Sequence, residues 1–211
     1  MSRIKKFVKA VAAIAVVGLT AASVPAAVIA PGQTLFPPTQ EADPVGGTVL
    51  FSTNASFTSS SFSGFLTSKV IFGDSANQFG GLTFTYQFTL TGGPQAASQL
   101  TVTSFGNLLV DVSYNALGSA VSLTAPTVIN RSLDGNVLRF GFYGNDVQAG
   151  STSALLVAQT SSTLWSISDA ALIDGQSVNV VTIAPLPIPE PGTFSLLAIG
   201  LGLLAFIRRQ R

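Results

Sequence analysis

From Leu82 to Thr91 apolar and polar residues alternate without a break. A period of two belongs to an extended strand, whose side chains point to opposite faces in turn. Leu82, Phe84, Tyr86, Phe88 and Leu90 share one face, while Thr83, Thr85, Gln87, Thr89 and Thr91 take the other. That division suits a strand with one buried and one solvated side. Similar runs occur near Val49 to Phe57, Val110 to Tyr114 and Leu138 to Phe142. Turn residues punctuate them at Gly46-Gly47, Gly92-Gly93-Pro94, Gly106-Asn107, Asp134-Gly135, Gly144-Asn145-Asp146 and Asp174-Gly175. The expected fold is all-β: an antiparallel β-sandwich or jelly-roll-like body over residues 45–184, with about eight to ten strands. Asp174-Gly175, between two strand-like runs, predicts a two-residue hairpin.

The chain has neither Cys nor His. Stability must therefore come from packing without disulfides, and thiol or imidazole catalysis is excluded. The formal net charge of +1 averages two basic ends against an acidic middle. Lys69, Arg131 and Arg139 are the cations of the body, against Glu41, Asp43, Asp74, Asp111, Asp134, Asp146, Asp169 and Asp174. Such a surface lacks the basic patch that a phosphate backbone requires, so nucleic acid is not an expected partner.

The two ends read as processing segments. A basic start with Arg3, Lys5, Lys6 and Lys9 precedes an apolar run from Ala10 to Leu19 and then an Ala-rich stretch. This is the layout of a secretory signal peptide, expected as a helix within residues 1–30. Small residues allow signal peptidase to cut after Ala26 or after Ala30. Residues 31–44, with four prolines, read as an extended lead-in. Beyond the body, Pro185, Pro187, Pro189 and Pro191 give residues 185–193 a polyproline-like linker. Residues 194–211 hold an apolar run from Phe194 to Ile207 closed by Arg208, Arg209 and Arg211. At about 1.5 Å per residue the run spans some 21 Å against roughly 30 Å of hydrocarbon, a short transmembrane helix suited to a temporary stop. The positive-inside rule keeps both basic ends in the cytoplasm and places the body outside.

Pro189-Glu190-Pro191, the apolar run with Gly200 and Gly202, and the terminal arginines together resemble the PEP-CTERM sorting domain. The resemblance implies recognition at Pro189, Glu190 and Pro191 by an exosortase, a membrane-embedded transpeptidase-like enzyme, and removal of the segment during export. It also implies an association with extracellular polysaccharide and biofilm. The expected partners are then signal peptidase and the secretion machinery, an exosortase-like enzyme, the membrane transiently, and extracellular polysaccharide. The expected location is the cell envelope, surface or matrix.

No catalytic set stands out. Asp111, Asp169 and Asp174 offer carboxylates that a glycosidase pair would need, but Asp174 reads as a turn residue, Asp111 as the solvent side of a strand and Asp169 as a surface acid. Oxygen ligands for Ca²⁺ occur at Gly144-Asn145-Asp146 and Asp134-Gly135-Asn136, where turn formation explains the same residues. Trp165, Tyr86, Tyr114 and Tyr143 are candidates for stacking on sugar rings, with core packing favoured for Trp165 and Tyr86 and exposure for Tyr143. The expectation is therefore a structural protein with no enzymatic activity, metal or cofactor. Alternatives are a carbohydrate-binding module and a carboxylate-dependent hydrolase.

Overall fold

The computed structural model describes residues 28–119 and 121–186. The signal helix expected within residues 1–30 falls largely outside them, and the C-terminal apolar helix falls wholly outside. Among the described residues no helix is long and apolar enough to cross a membrane.

Among the described residues thirteen strands follow in order: β1 (Thr34–Leu35), β2 (Thr48–Thr58), β3 (Ser63–Phe72), β4 (Thr83–Gly92), β5 (Gln99–Val102), β6 (Val110–Asn115), β7 (Leu123–Thr124), β8 (Val128–Arg131), β9 (Leu138–Gly141), β10 (Thr152–Ser153), β11 (Leu155–Thr160), β12 (Trp165–Ile173) and β13 (Ser177–Pro185). One sheet runs β1-β8-β9-β5-β12-β13. The other runs β2-β3-β4, beyond which the far edge of β4 is shared by β11, continued by β6, and by β10, continued by β7. All pairings are antiparallel except β10 with β7. The all-β expectation holds, and three of the strands are only two residues long.

The alternation in β4 sets the core. Leu82, Phe84, Tyr86, Phe88 and Leu90 are buried in one cluster with residues of the opposite sheet, among them Leu100, Val102, Phe140 and Leu172. Phe88 meets Phe142 edge-on at 5.5 Å and Phe84 meets Phe105 at 6.4 Å, so aromatic pairs tie β4 to segments of the second sheet. Tyr86 satisfies its hydroxyl within this core by donating to the Ile183 carbonyl at 2.9 Å.

Residues 174–176 close the β12–β13 hairpin with three residues rather than two, since Ile173 pairs with Ser177. Asp174 Oδ1 accepts from the Gln176 N–H at 2.9 Å and Gly175 takes φ +109°, a value that L side chains rarely adopt. The Asx bond explains the extra residue, because it folds the turn around the Asp side chain.

The Pro-rich lead-in is extended but is not separate from the body. β1 pairs with β8, while Val28 and Gln40 form isolated bridges to Asp111 and Tyr114 on the outer edge of β6. Proline withholds an N–H but not a carbonyl, and residues between the prolines still pair. Gln33 O accepts from Arg131 N–H at 3.0 Å and Thr39 O accepts from Tyr114 N–H at 3.1 Å. The lead-in thereby covers an edge strand that would otherwise present unpaired backbone groups.

Candidate functional site

After bridging to Tyr114, the chain from Thr39 to Val45 forms a strap across the polar face of the β4-β11-β6 region. Glu41 N–H donates to Tyr114 O at 2.9 Å, the Asn115 amide donates to Asp43 O at 2.9 Å, and Ser113 Oγ donates to Asp43 Oδ2 at 3.4 Å. Val45 N–H donates to Asp74 Oδ1 at 2.9 Å, which pins the far end of the strap to the turn after β3. Beneath it, sheet register sets Thr83, Gln159 and Asp111 side by side on β4, β11 and β6. Directly opposed antiparallel residues point to the same face, so these three side chains lie together under the strap.

Asp74 is well supplied with donors. It accepts from Thr83 Oγ1 at 2.8 Å and from Gln159 Nε2 at 3.1 Å, in addition to backbone donors. Its neighbours are not. Both carboxylate oxygens of Asp111, Gln159 Oε1 and Glu41 Oε1 are buried with no hydrogen-bond donor. Asp111 is 2% exposed and Gln159 1%. Buried acceptors without donors are rare and costly, and here four oxygens of three neighbouring side chains share the condition.

Electrostatics follow from that geometry. Burial, then the hydrogen bond that a protonated Glu41 donates to Asp43 and the charge of Asp43, then the charge of Asp111, push Glu41 up to about 7. Burial and the Asp43 charge push Asp111 up to about 6. The Val112 N–H pulls Asp111 the other way, although no hydrogen bond of normal geometry reaches either of its oxygens. Asp43 is raised by burial, and the Asp74 charge adds to this while its bonds to Glu41 and Ser113 oppose it. None of the leading influences on these three groups is a cation. The fully buried cation Arg131 gives its donors to carbonyls instead: Gly135 O at 2.9 Å, Ile29 O at 2.9 Å, Phe105 O at 2.6 Å and Leu108 O at 3.0 Å.

Asp111 does occupy the polar face of an alternating strand, yet that face is covered by the strap, which corrects its assignment to solvent. Thr83 and Thr85 are buried for the same reason at 0% and 2% exposure. Asp169 lies exposed on β12 of the other sheet and Asp174 in its hairpin, so the three acids weighed as a catalytic set belong to separate elements. Asp134 Oδ1 accepts from Ser132 Oγ at 2.5 Å and from Asn136 N–H at 3.0 Å, which accounts for that turn without an ion. Tyr143 is exposed and its hydroxyl donates to Gln99 Oε1. Trp165 is half-buried and stacked on Phe51 at 5.0 Å between ring centres. Tyr114 packs against the core edge.

Of the processing residues, Ala30 is described and exposed, its N–H donating to Gln33 Oε1 at 2.8 Å. Ala26, Pro189, Glu190, Pro191, Arg208, Arg209 and Arg211 lie outside the described residues. The covered carboxylates were present in the sequence as isolated acids, but nothing in their spacing joins Glu41 to Asp111. The joining element is the Pro-rich strap, whose path depends on backbone pairing.

Residues 187–211 match the family model described as the PEP-CTERM protein-sorting motif. No curated protein matches the chain, and no solved structure does.

Proposed function

We propose that this chain, which carries a PEP-CTERM sorting signal and is thereby an exported substrate of exosortase-type machinery at the cell envelope or surface, serves as a non-catalytic structural component of an exopolysaccharide or biofilm matrix. The observation that supports this reading is the junction between body and signal. β13 runs to Pro185 and the motif begins at residue 187. The whole two-sheet body is therefore the cargo, with no intervening domain between it and the signal. The covered carboxylates favour a structural role, because a hydrolase needs its acid pair open to a substrate and Asp111 is sealed beneath the strap.

Fractionation of the native host tests the reading. The mature body should be found with the exopolysaccharide, and enzymatic removal of the polysaccharide should release it. A mature protein that stays with the outer surface or medium irrespective of polysaccharide would reject the matrix role.

A second reading, a carbohydrate-binding module, is favoured by the Phe51–Trp165 stack, where Phe51 remains 40% exposed beside the half-buried indole. Flat aromatic surface of this kind stacks on sugar rings. Binding on a glycan array that disappears in Trp165→Ala and Phe51→Ala would support it, and an array without binding would reject it.

A further inference from the structure

The cluster under the strap poses a chemical problem that hydrogen bonding within the chain does not solve. When the two acids are ionised, Asp111 Oδ1 and Oδ2 and Glu41 Oε1 only accept, as Gln159 Oε1 always does, and all four are buried without a donor. The Gln159 amide is not free to turn. Its Nε2 donates to Asp74 Oδ2 at 3.1 Å, and a carboxylate accepts only from the NH₂ end, so the amide oxygen is held in place. Gln159 is directly abreast of Asp111 in the β11–β6 register, which brings a neutral oxygen and a carboxylate to the same face. Above them the strap carries Asp43, fixed through its carbonyl to Asn115 and through Oδ2 to Ser113.

We propose that Asp111 and Gln159, with the Asp43 and Glu41 carboxylates of the strap, form a binding site for a divalent oxygen-seeking cation of the Ca²⁺ type. A hard cation supplies what these acceptors lack. Carboxylate and amide oxygens suit Ca²⁺, which takes six to eight oxygens in flexible geometry and fills vacant positions with water. Zn²⁺ and Cu²⁺ are disfavoured by a chain without Cys or His. Among the described residues no group of three or more carboxylates gathers at metal-binding distance. The site is therefore built on the Asp111–Gln159 pair, and closure of the strap carboxylates onto the ion completes it. Binding would clamp the lead-in to the outer strand of the sheet. The site is independent of the sorting signal, so its failure would leave the proposed function untouched.

The test is calorimetric titration of CaCl₂ into the full-length chain in mild detergent, after treatment with chelator and at neutral pH, alongside thermal melting with and without the ion. One saturable site and a raised melting temperature are expected. Asp111→Asn, nearly isosteric, should weaken binding at least tenfold and remove the thermal response, and Gln159→Leu should weaken it as well. Asp43→Asn, on the strap rather than in the sheet, offers a second variant should Asp111→Asn fail to fold. Asp134→Asn, in a turn on its own, should bind like the parent. Absence of saturable binding up to about 10 mM, roughly tenfold beyond the weak limit of about 1 mM for extracellular Ca²⁺ modules, would overturn the proposal. So would unchanged binding in both Asp111→Asn and Asp43→Asn, or loss of binding in Asp134→Asn.

Discussion

Replacing Arg131 with Met should remove one of the main fastenings of the body. The side chain is fully buried, and its guanidinium donates to four carbonyls drawn from three places: Ile29 in the lead-in, Phe105 and Leu108 in the loop after β5, and Gly135 in the turn before β9. Met fills the aliphatic volume but donates nothing. Each buried acceptor left without a partner costs roughly 1–3 kcal/mol. Removing the charge returns part of its desolvation, which already draws the Arg131 pKa down by burial. The net loss is about 3–5 kcal/mol, a large share of the roughly 5–15 kcal/mol typical of a domain. For a body of this size it should lower the melting temperature by about 10 °C. Arg131→Lys should fall between Met and the parent, because an ammonium has three donors and cannot span the fork. Urea unfolding of the purified chain followed by β-sheet circular dichroism measures both. A loss below about 1 kcal/mol for Arg131→Met would refute the idea that these carbonyl bonds hold the lead-in and loops together.

Three further outcomes follow from the same geometry. Signal peptidase should cut after Ala26 rather than Ala30, because Ile29 is fully buried, its N–H bonds Val110 O at 2.9 Å and its carbonyl accepts from Arg131. N-terminal sequencing should begin at Ala27, and a mature start at Pro31 would contradict the packing of Ile29. In chelator, stability should fall as pH rises from about 4 to about 8: folded Glu41 and Asp111 titrate near 7 and 6, above their ordinary 4.5 and 3.8, so the folded state holds more protons in that window. The loss is on the order of 2 kcal/mol after allowance for solvent near Glu41, and stability that rises over the window would show that the carboxylates are not buried together. Gly81→Ala should destabilise by about 2 kcal/mol or more by urea unfolding, since an added Cβ would lie 2.4 Å from Thr160 O and 2.6 Å from Ser162 O; a neutral result would mean that the β4–β11 approach is looser than described.

The fold class was legible because the alternation in residues 82–91 is local, and local periodicity survives tertiary packing. Leu82, Phe84, Tyr86, Phe88 and Leu90 all reach the core. The same pattern misled about the opposite face. Thr83, Thr85 and Asp111 look solvated in a single strand, and only the path of a segment 40 to 70 residues away in sequence covers them. Prolines suggested an extended lead-in apart from the body, although the residues between them still pair with β6 and β8. Arg131 was visible as a rare body cation, but carbonyl ligands carry no sequence signal, so its buried role could not be read. The sorting signal, in contrast, is written in consecutive residues and needs no fold to be recognised.

Following processing in the native host with an epitope in the body tests C-terminal sorting most directly. The mature protein should have lost residues 194–211 by mass, appear at the envelope or beyond it, and share that fate with no uncut form at steady state. Glu190→Gln should accumulate as uncut precursor in the membrane fraction, while neutral replacement of Arg208, Arg209 and Arg211 should let uncut precursor escape that fraction. If both variants mature and localise like the parent, or if the mature chain keeps its C-terminal apolar segment, the chain is not sorted through its C-terminus.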